Sequence, residues 1–464
     1  MKKDAQLAET MLSILNEGIL KRWYPLVVDR ECGGYYTNVT RDWTLPAEQD
    51  KMIVSQARHI WTTSKAASFL PERGFYEDVA KHGLRFLRDV MWDHTFGGFY
   101  QIRSRNGGPT ETRGWRDEKR TYGEAFAVYG LAALYAQTGD PSALATAQTG
   151  FHWIEEHAFD PDYKGYFQFL TREGRPFGLN DPYVSIASDS NEVGFKDQNS
   201  SIHLLEAYTE LYNVWKDEHL RTQLASILTL IRDTMVHPRG YLQLFFHPDW
   251  TPVSFRDAEP AVREANFGLD HISFGHDYET AFLMLEASHA LGLEDDVRTL
   301  TVGKRMLDHA LANGWDKERG GFWDGSYYFK GDEKCTVVHH TKNWWAQAEA
   351  LNILLLFSRI FPDGPYEEYF QKQWAYVDSY IIDHERGDWF EGGLDYEPHF
   401  RDAPKSHMWK CTYHTSRALM NCIALLSDSP PRGAGEGFEP KKAELMRFID
   451  HWKALAGSLT VHSV

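Results

Sequence analysis

Cysteine is scarce in this chain, and the few cysteines are not arranged for metal or disulfide chemistry. The 464 residues contain four, at Cys32, Cys335, Cys411 and Cys422, and none has the CxxC spacing of zinc sites and redox motifs. A zinc site or a disulfide framework is therefore not expected. Scattered free thiols are typical of the reducing cytoplasm, and a cytoplasmic location is our prediction.

Long apolar runs and an excess of positive charge are missing as well. No stretch approaches the ~18 consecutive apolar residues of a membrane span. The N-terminal segment carries Asp4, Glu9 and Glu17, which predicts an amphipathic helix rather than a signal peptide. Lys and Arg number 49 against 66 Asp and Glu, a net charge of −17, whereas phosphate binding needs a basic face. We expect neither a nucleic-acid nor a membrane partner.

Several common catalytic motifs are absent too. There is no G-x-S-x-G or H-E-x-x-H, and GAGEG (433–437) lacks the preceding strand and the Lys-Ser/Thr of a phosphate loop. The adjacent His339 and His340 cannot both face one metal from a regular strand. We therefore expect no metal and no cofactor.

What the chain does contain is a short phrase that recurs six times, 64 to 81 residues apart. Each copy joins a polar residue to a glycine turn and then to aromatic residues. The copies are DRECGGYY from 29, DHTFGGFY from 93, DPDYKGYF from 160, HPRGYL from 237, DKERGGFW from 316 and DHERGDWF from 383. A repeat of this length indicates stacked supersecondary units.

A helical pattern stands on each side of the phrase. The segment before it, such as 75–92, has apolar residues near i, i+3, i+4 and i+7, and the segment after it is short, alternating and aromatic, typical of a hairpin. A second helix follows, such as 122–139, and is apolar on all sides. Six such pairs predict an all-α fold, an (α/α)6 barrel with short β-hairpins at one end, as a single domain over 1–464. The alternatives are an open helical array or two helical domains.

If the barrel forms, all six inner helices begin at the same mouth, so their first residues converge. The residues that these starts contribute are Arg58, Tyr122, Glu124, Asn199, His203, His276, Glu279, Trp345, Trp409 and His414. Three imidazoles at one mouth are more than chance placement provides. Glu279 lies three residues after His276 on the same helical face, where we expect it to orient the imidazole.

This set of side chains favours proton transfer next to a carbonyl. Imidazole accepts and returns a proton near neutral pH, and two imidazoles on opposite sides of one carbon can exchange a proton with either face. Arg58 would stabilise charge on the substrate oxygen, and the tryptophans offer flat faces to a sugar ring. An open-chain sugar that is inverted beside its carbonyl, without a cofactor, fits these residues.

Four segments carry a resemblance to a known family: SFGHDYE, NSSIHLLEAY, WWAQAEAL and WKCTYHTSRA. In this order they are similar to the N-acylglucosamine 2-epimerase superfamily, in the branch of cellobiose and mannose 2-epimerases. The resemblance implies an (α/α)6 barrel and an aldose 2-epimerase that interconverts glucose and mannose configurations through an enediolate.

The resemblance also implies roles for individual residues. His276 and His414 resemble the acid/base pair, His203 the third active-site histidine, and Arg58 the arginine that binds oxygens near C1 and C2. Asn199 and Glu279 resemble supporting polar groups, and Tyr122, Trp345 and Trp409 resemble sugar-contacting aromatics. Glu124 stands where glutamine is common, and we expect it among the substrate-binding residues.

Two departures bear on the substrate. Ser201 replaces a histidine of disaccharide-acting members, and a longer stretch, 254–272, precedes the GHD segment. A longer loop at the mouth would fill the space of a second sugar. We therefore expect free mannose or glucose to be preferred over a β-1,4-disaccharide such as cellobiose.

Three other interpretations remain open. An aldose–ketose isomerase would use the same histidines but return the proton to C1, giving fructose from mannose. An (α/α)6 glycoside hydrolase would use two carboxylates from Glu124, Glu279 and Glu349. A non-catalytic sugar- or protein-binding barrel would not need the imidazoles. The chain is expected to act as a monomer or a homodimer.

Overall fold

The computed structural model describes residues 2–110, 117–182 and 190–459. Within these residues six helices form an inner ring in which each packs against the next and the last packs against the first. The inner helices are α3 (Ile53–Phe69), α5 (Thr121–Thr138), α7 (Gln198–Val214), α11 (Phe274–Ala290), α13 (Trp344–Ile360) and α15 (Tyr413–Leu426). The closed ring confirms the (α/α)6 barrel.

An outer layer of helices packs against this ring. Its members are α1 (Lys2–Ser13), α4 (Arg73–Phe86), α6 (Pro141–His157), α8 (Glu218–Leu230), α12 (Val297–Asn313) and α14 (Tyr366–Tyr380). Three of these continue into π-helical turns at Ile14–Leu20, Leu87–Met91 and Ile231–Met235. The remaining helices are α2 (Lys21–Trp23), α9 (Pro260–Ala265), α10 (Phe267–Asp270) and α16 (Phe438–Leu459), with 3-10 turns at Ser190–Glu192 and Pro398–Asp402.

The two layers differ in how their residues are buried. All residues of α5 from Thr121 to Leu134 are buried, whereas α4 buries only one face, which includes Tyr76, Val79 and Leu84. A helix with apolar residues on every side is stable only when neighbours cover it all round, and a helix with one apolar stripe needs a single covering layer. The hydrophobic pattern thus decides which helix of each pair lies inside.

Short antiparallel strands gather at the end of the barrel where the inner helices begin. The strands are β1 (Lys51–Met52), β2 (Ile102–Arg103), β3 (Lys119–Arg120), β4 (Phe169–Leu170), β5 (Lys196–Asp197), β6 (Phe245–Phe246), β7 (Ile272–Ser273), β8 (Gly325–Tyr327) and β9 (Thr336–His339). β8 and β9 form one of the expected hairpins. Four further pairs join successive repeats: β1 with β2, β3 with β4, β5 with β6 and β7 with β8.

A buried ion pair explains why the recurring phrase begins with aspartate. In five of the six copies, all within the described residues, a lysine ammonium lies 2.6 to 3.3 Å from that aspartate. The lysine also donates to a carbonyl in the same turn. The pairs are Lys51–Asp29, Lys119–Asp93, Lys196–Asp160, Lys342–Asp316 and Lys405–Asp383. Each pair fastens a turn to a neighbouring segment at the strand end of the barrel.

The fourth copy departs from this scheme at both partners. His237 stands at the aspartate position and Ile272 at the lysine position. Its turn is one residue shorter: the N–H of His237 donates to the carbonyl of Tyr241, whereas that of Asp93 donates to Gly98. Stacking of His237 on Tyr241, with ring centroids 4.5 Å apart, replaces the ion pair.

The glycine-rich segment 433–437 is a structural connector. It leads into α16, and the N–H of Gly435 donates to the carbonyl of Phe69 at the end of α3. A Cβ at Gly437 would lie 2.1 Å from the carbonyl oxygen of Ser68, so this contact requires glycine. The segment holds α16 across the end of the barrel opposite the strands.

Among the residues that the structure describes, no helix combines the length and the apolar character needed to cross a membrane.

Candidate active site

The six inner helices enter the barrel in the same register. Counting seven positions from one residue shortly before each inner helix gives one ring of inward-facing side chains, and the starting residues are Lys51, Lys119, Lys196, Ile272, Lys342 and Lys410. The ring consists of Arg58, Phe126, His203, Glu279, Glu349 and Arg417. Five of these six side chains are polar or charged although all are buried, which is unusual for a barrel core.

Arg58 forms one wall of the site. Its Nη2 donates to the hydroxyl of Tyr122 at 2.9 Å, its Nη1 donates to the carbonyl of Trp409 at 3.2 Å, and its guanidinium lies 4.3 Å from the ring centroid of Phe126. The Nε group is buried and has no hydrogen-bond partner among the described residues. A guanidinium has five N–H donors, so part of its capacity is left for a ligand oxygen.

His203 is oriented by a carboxylate from its own helix. Its Nδ1 lies 2.9 Å from Oε2 of Glu206. Burial by itself raises the pKa of Glu206, but Arg417 and His203 outweigh it and bring the pKa to about 2. An ionised carboxylate only accepts hydrogen bonds, so Nδ1 of His203 carries a proton, and in the uncharged form of this tautomer Nε2 is an acceptor.

Arg417 connects three acidic side chains in the middle of the barrel. Its Nη2 donates to Oε1 of Glu279 at 2.7 Å and to Oε1 of Glu349 at 2.6 Å, and its Nη1 donates to Glu206. The hydroxyl of Tyr413 also donates to Glu206. Buried charges are stable only when they are paired and hydrogen-bonded, and this network meets that condition.

His276 and His414 both lie next to one tryptophan. The ring centroid of Trp345 is 4.7 Å from that of His276 and 5.8 Å from that of His414. Nδ1 of His276 lies 2.8 Å from the hydroxyl of Ser273, and Nδ1 of His414 lies 2.8 Å from Oε1 of Glu349. In both rings Nδ1 is occupied by this hydrogen bond, so Nε2 is the nitrogen that can exchange a proton with a ligand.

Burial keeps both of these imidazoles neutral. It lowers the pKa of His276 to about 3, with a further contribution from the charge of His203. Burial, followed by the nearby charges of Arg58 and Arg417, lowers the pKa of His414 well below its usual range. Glu349 shifts the other way, since burial raises its pKa to about 8. The His414–Glu349 pair therefore shares one proton at neutral pH, and that proton lies on the carboxyl group.

The remaining predicted residues lie around this centre. Tyr122 stands between His203 and Trp409, with ring centroids 5.1 and 6.1 Å away. Trp409 is 40% exposed and is therefore at the open side of the site. The side-chain oxygen of Asn199, in the first turn of α7, is buried without a partner among the described residues.

Glu124 does not join the other predicted residues. It is fully buried, and its Oε1 accepts the N–H of Phe99 in the turn of its own repeat at 2.6 Å. Gln56 and Gln347 make the same contact in other repeats, with Tyr35 and Phe322. The structure therefore gives no support to the expectation that Glu124 binds substrate, because its position in the register faces the turn and not the barrel axis.

Glu279 is at the site but has a different partner from the one expected. Its carboxylate binds Arg417 and approaches Nδ1 of His414 at 3.9 Å, whereas Nδ1 of His276 is held by Ser273. The residues three apart on α11 share a face, but the guanidinium opposite attracts the carboxylate more strongly than the neutral imidazole does. The expectation that Glu279 orients His276 is corrected accordingly.

Glu279, Glu349 and Nδ1 of His414 come within 4.8 Å of one another, close enough to share a metal ion. However, Nη2 of Arg417 already binds both carboxylates. A guanidinium placed there supplies the positive charge that a metal would bring and would repel the ion. We therefore assign these residues to an arginine-centred network.

Sequence reasoning missed Glu206, Arg417 and Ser273, and considered Glu349 only for hydrolysis. The sequence contained a signal for three of these four residues. Arg417 and Glu349 fall at the seventh position of the register, and Glu206 follows His203 by three residues on one helical face. Ser273 precedes its helix, and only the β7 backbone directs it back to His276.

Known proteins resemble this chain along most of its length. The model of the N-acylglucosamine 2-epimerase (GlcNAc 2-epimerase) family matches residues 34–418. A cellobiose 2-epimerase of Bacteroides fragilis is 32% identical over 431 residues, which cover 92% of this chain and 100% of that protein. A D-mannose isomerase of Thermobifida fusca is 23% identical and covers 73% of this chain and 77% of its own. The structure of cellobiose 2-epimerase from Bacillus thermoamylovorans B4167 superposes with a TM-score of 0.77 at 26% identity, covering 90% of this chain and 99% of that one. The chain therefore belongs to the N-acylglucosamine 2-epimerase family.

Proposed function

We propose that this chain is an aldose 2-epimerase that interconverts glucose and mannose configurations at C2 of an open-chain sugar without a cofactor. The observation that carries the proposal is the placement of His276 and His414 next to the same Trp345, with both imidazoles neutral. Inversion beside a carbonyl needs one group to remove the C2 proton and another to supply a proton to the opposite face. The similarity to cellobiose 2-epimerases supports the same reaction.

The two histidines differ in their proton supply, and this gives the proposed steps. His276 has a pKa of about 3, so at pH 7 its Nε2 is ready to accept the C2 proton. The resulting enediolate takes a proton from Nε2 of His414 on its other face. Nδ1 of His414 is replenished by Glu349 across 2.8 Å, which returns the imidazole to neutrality. In the reverse direction His414 is the base and His276 returns the proton.

Arg58 and His203 would act on the substrate oxygens. The guanidinium of Arg58 has a free Nε donor, and charge that develops on the enediolate oxygen is stabilised by such a fixed donor in a buried site. Nε2 of His203 is an acceptor because Glu206 holds Nδ1–H, so it suits a hydroxyl that must lose its proton when the ring opens.

We further propose that free mannose or glucose is preferred over a disaccharide. The stretch 254–272 folds into α9 and α10 and is tied down by Asp270, which accepts from the N–H of Phe255 and from the hydroxyl of Tyr327 at 2.8 Å. This stretch leads through β7 directly into the turn that carries His276. Ser201 no longer contributes to this proposal, since it is buried and donates to the carbonyl of Asp197.

The D-mannose isomerase relative favours a second candidate, the conversion of mannose to fructose. The same residues would serve, and only the carbon that receives the proton would differ. The hydrolase alternative has less support because Glu279 and Glu349 bind the same nitrogen of Arg417, while Glu124 faces a turn. Two carboxylates on opposite sides of a glycosidic bond are not available in this set.

Product analysis by NMR in heavy water tests the proposal. Mannose is incubated with the protein, and glucose labelled at C2 is the expected main product. Fructose as the main product would replace the epimerase with the isomerase. Rates on mannose and cellobiose measured side by side test the preference, which is lost if the two sugars turn over equally well.

A further inference from the structure

A cavity of about 340 Å³ lies on the barrel axis at the end opposite the strands. Its walls come from the inner helices α3, α5, α7, α11 and α15, and α16 lies across it with Lys441, Glu444 and Phe448. The family match ends at residue 418, so α16 belongs to the part of the chain beyond that match. This cavity takes no part in the proposed epimerase reaction.

The cavity is separated from the candidate active site by one layer of side chains. Glu206 and Arg417 line the cavity on the side that faces the active site. The same Glu206 holds Nδ1 of His203, and the same Arg417 binds Glu349. A ligand in this cavity would thus touch two side chains that order the active-site groups.

The charges in the cavity do not balance within the protein. Lys65 pairs with Glu210, and Arg417 pairs with Glu206. Two more carboxylates and one more lysine remain. These are Glu286, Glu444 and Lys441. Among the described residues, none of the three side chains makes a hydrogen bond or an ion pair within 4.0 Å. Lys441 is the charged group that acts most on both carboxylates, and the lining keeps a formal excess of one negative charge.

Aromatic rings form the rest of the wall. Trp61 stacks on Tyr129 with centroids 5.6 Å apart and an interplanar angle of 19°, and Phe282 and Phe448 also face the space. Carboxylates beside aromatic faces are the combination that binds ammonium groups attached to apolar bodies. Burial raises the pKa of Glu286 to about 7, and a cation beside it would lower that pKa and be stabilised in return.

We propose that this cavity is a binding site for an organic cation that carries an aromatic or alkyl body. The ammonium group lies between Glu286 and Glu444, and the apolar body packs on the rings of Phe282 and Phe448. Binding is measured directly, so the result does not depend on the proposed epimerase activity.

Calorimetric titration of the full chain at pH 8 with three probes of similar shape tests the proposal. The probes are phenethylammonium, the neutral 2-phenylethanol and the anionic phenylacetate. We expect phenethylammonium to bind at least tenfold more tightly than the alcohol, and phenylacetate to bind least.

Two variants and one control locate the site. Glu286→Gln is expected to weaken phenethylammonium binding at least tenfold while the alcohol stays within twofold, and Glu444→Gln is expected to weaken it less. Glu439→Gln removes the same charge from a position on α16 that does not line the cavity and should change nothing. Thermal unfolding checks that each variant is folded. The proposal is overturned if phenethylammonium does not bind, if phenylacetate binds as tightly, or if both Glu286→Gln and Glu444→Gln leave its affinity unchanged.

Discussion

Nδ1 of His414 and Oε1 of Glu349 lie 2.8 Å apart in the buried centre of the barrel, and the shared proton lies on the carboxyl group. In the proposed reaction this arrangement lets Glu349 hold a proton for the imidazole. It also distinguishes His414 from His276, whose partner is a serine hydroxyl.

The first prediction concerns this proton. Burial raises the pKa of Glu349 to about 8, so the pair loses its proton as the pH rises through that value, and turnover in the direction in which His414 donates should fall. Glu349→Gln should lower kcat by about 10²- to 10⁴-fold, the usual contribution of a proton-transfer group, and remove the alkaline decline. Glu279→Gln is the matched control, because Glu279 binds Arg417 but stays 3.9 Å from His414. An unchanged decline in Glu349→Gln would contradict the assignment.

The second prediction concerns the two imidazoles. His276→Ala and His414→Ala should each reduce kcat/KM by at least about 100-fold, because each removes proton transfer at one face of C2. Exchange of the C2 proton with heavy water, followed by NMR, should persist at the face served by the remaining histidine. Full activity in either variant would show that its imidazole is not an acid/base group.

The third prediction concerns the stability that Glu206 provides. Its pKa falls from 4.5 to about 2 on folding, so its ionised form stabilises the fold by about 3 kcal/mol above pH 4.5, and this is lost as the pH falls towards 2. Glu206→Gln should lower the free energy of unfolding by about that amount at pH 7. Urea unfolding at pH 7 and pH 3.5 should give a smaller difference between the two proteins at the lower pH. A constant difference would mean that the carboxylate charge is not responsible.

The fourth prediction concerns the repeated ion pairs. Lys342→Ala leaves Asp316 buried and unpaired and should cost about 3 to 5 kcal/mol in unfolding free energy. Lys372→Ala breaks an exposed pair with Glu368 and should cost about 0.3 to 0.5 kcal/mol. Denaturant unfolding of both variants measures the contrast. Equal losses would argue against a structural role for the buried lysine.

The fifth prediction follows from the placement of Glu124. Glutamine at this position can still accept the N–H of Phe99, as Gln56 and Gln347 do for Tyr35 and Phe322. Burial raises the pKa of Glu124 to about 8, so the carboxyl group is already uncharged at neutral pH. Glu124→Gln should therefore keep KM and kcat within twofold, and a large rise in KM would return this residue to the substrate-binding set.

Much of the architecture could be read from the repeat, because every copy of the phrase marks the same turn between an outer and an inner helix. The closed ring and the convergence of His203, His276 and His414 followed from that reading. A single domain over the whole chain, the monomeric or dimeric state and the cytoplasmic location stay predictions.

The partners of the site residues were harder to predict. Glu124 and Glu279 both stand in the first turns of inner helices, yet one faces a turn and the other the barrel axis. The difference is the two-residue step between positions five and seven of the register, which rotates a side chain by about half a turn of the helix. Only the folded segment that precedes each helix fixes where that count begins.

The sequence by itself determined the ring of helix pairs and the types of side chain at its mouth, because hydrophobic period and repeat spacing are local properties of the chain. The tertiary structure decided that Arg417 binds Glu206, Glu279 and Glu349, and that Glu349 is the carboxylate beside Nδ1 of His414. Those contacts join residues 68 to 211 positions apart, and their strengths depend on distance and burial, which exist only after the barrel has closed.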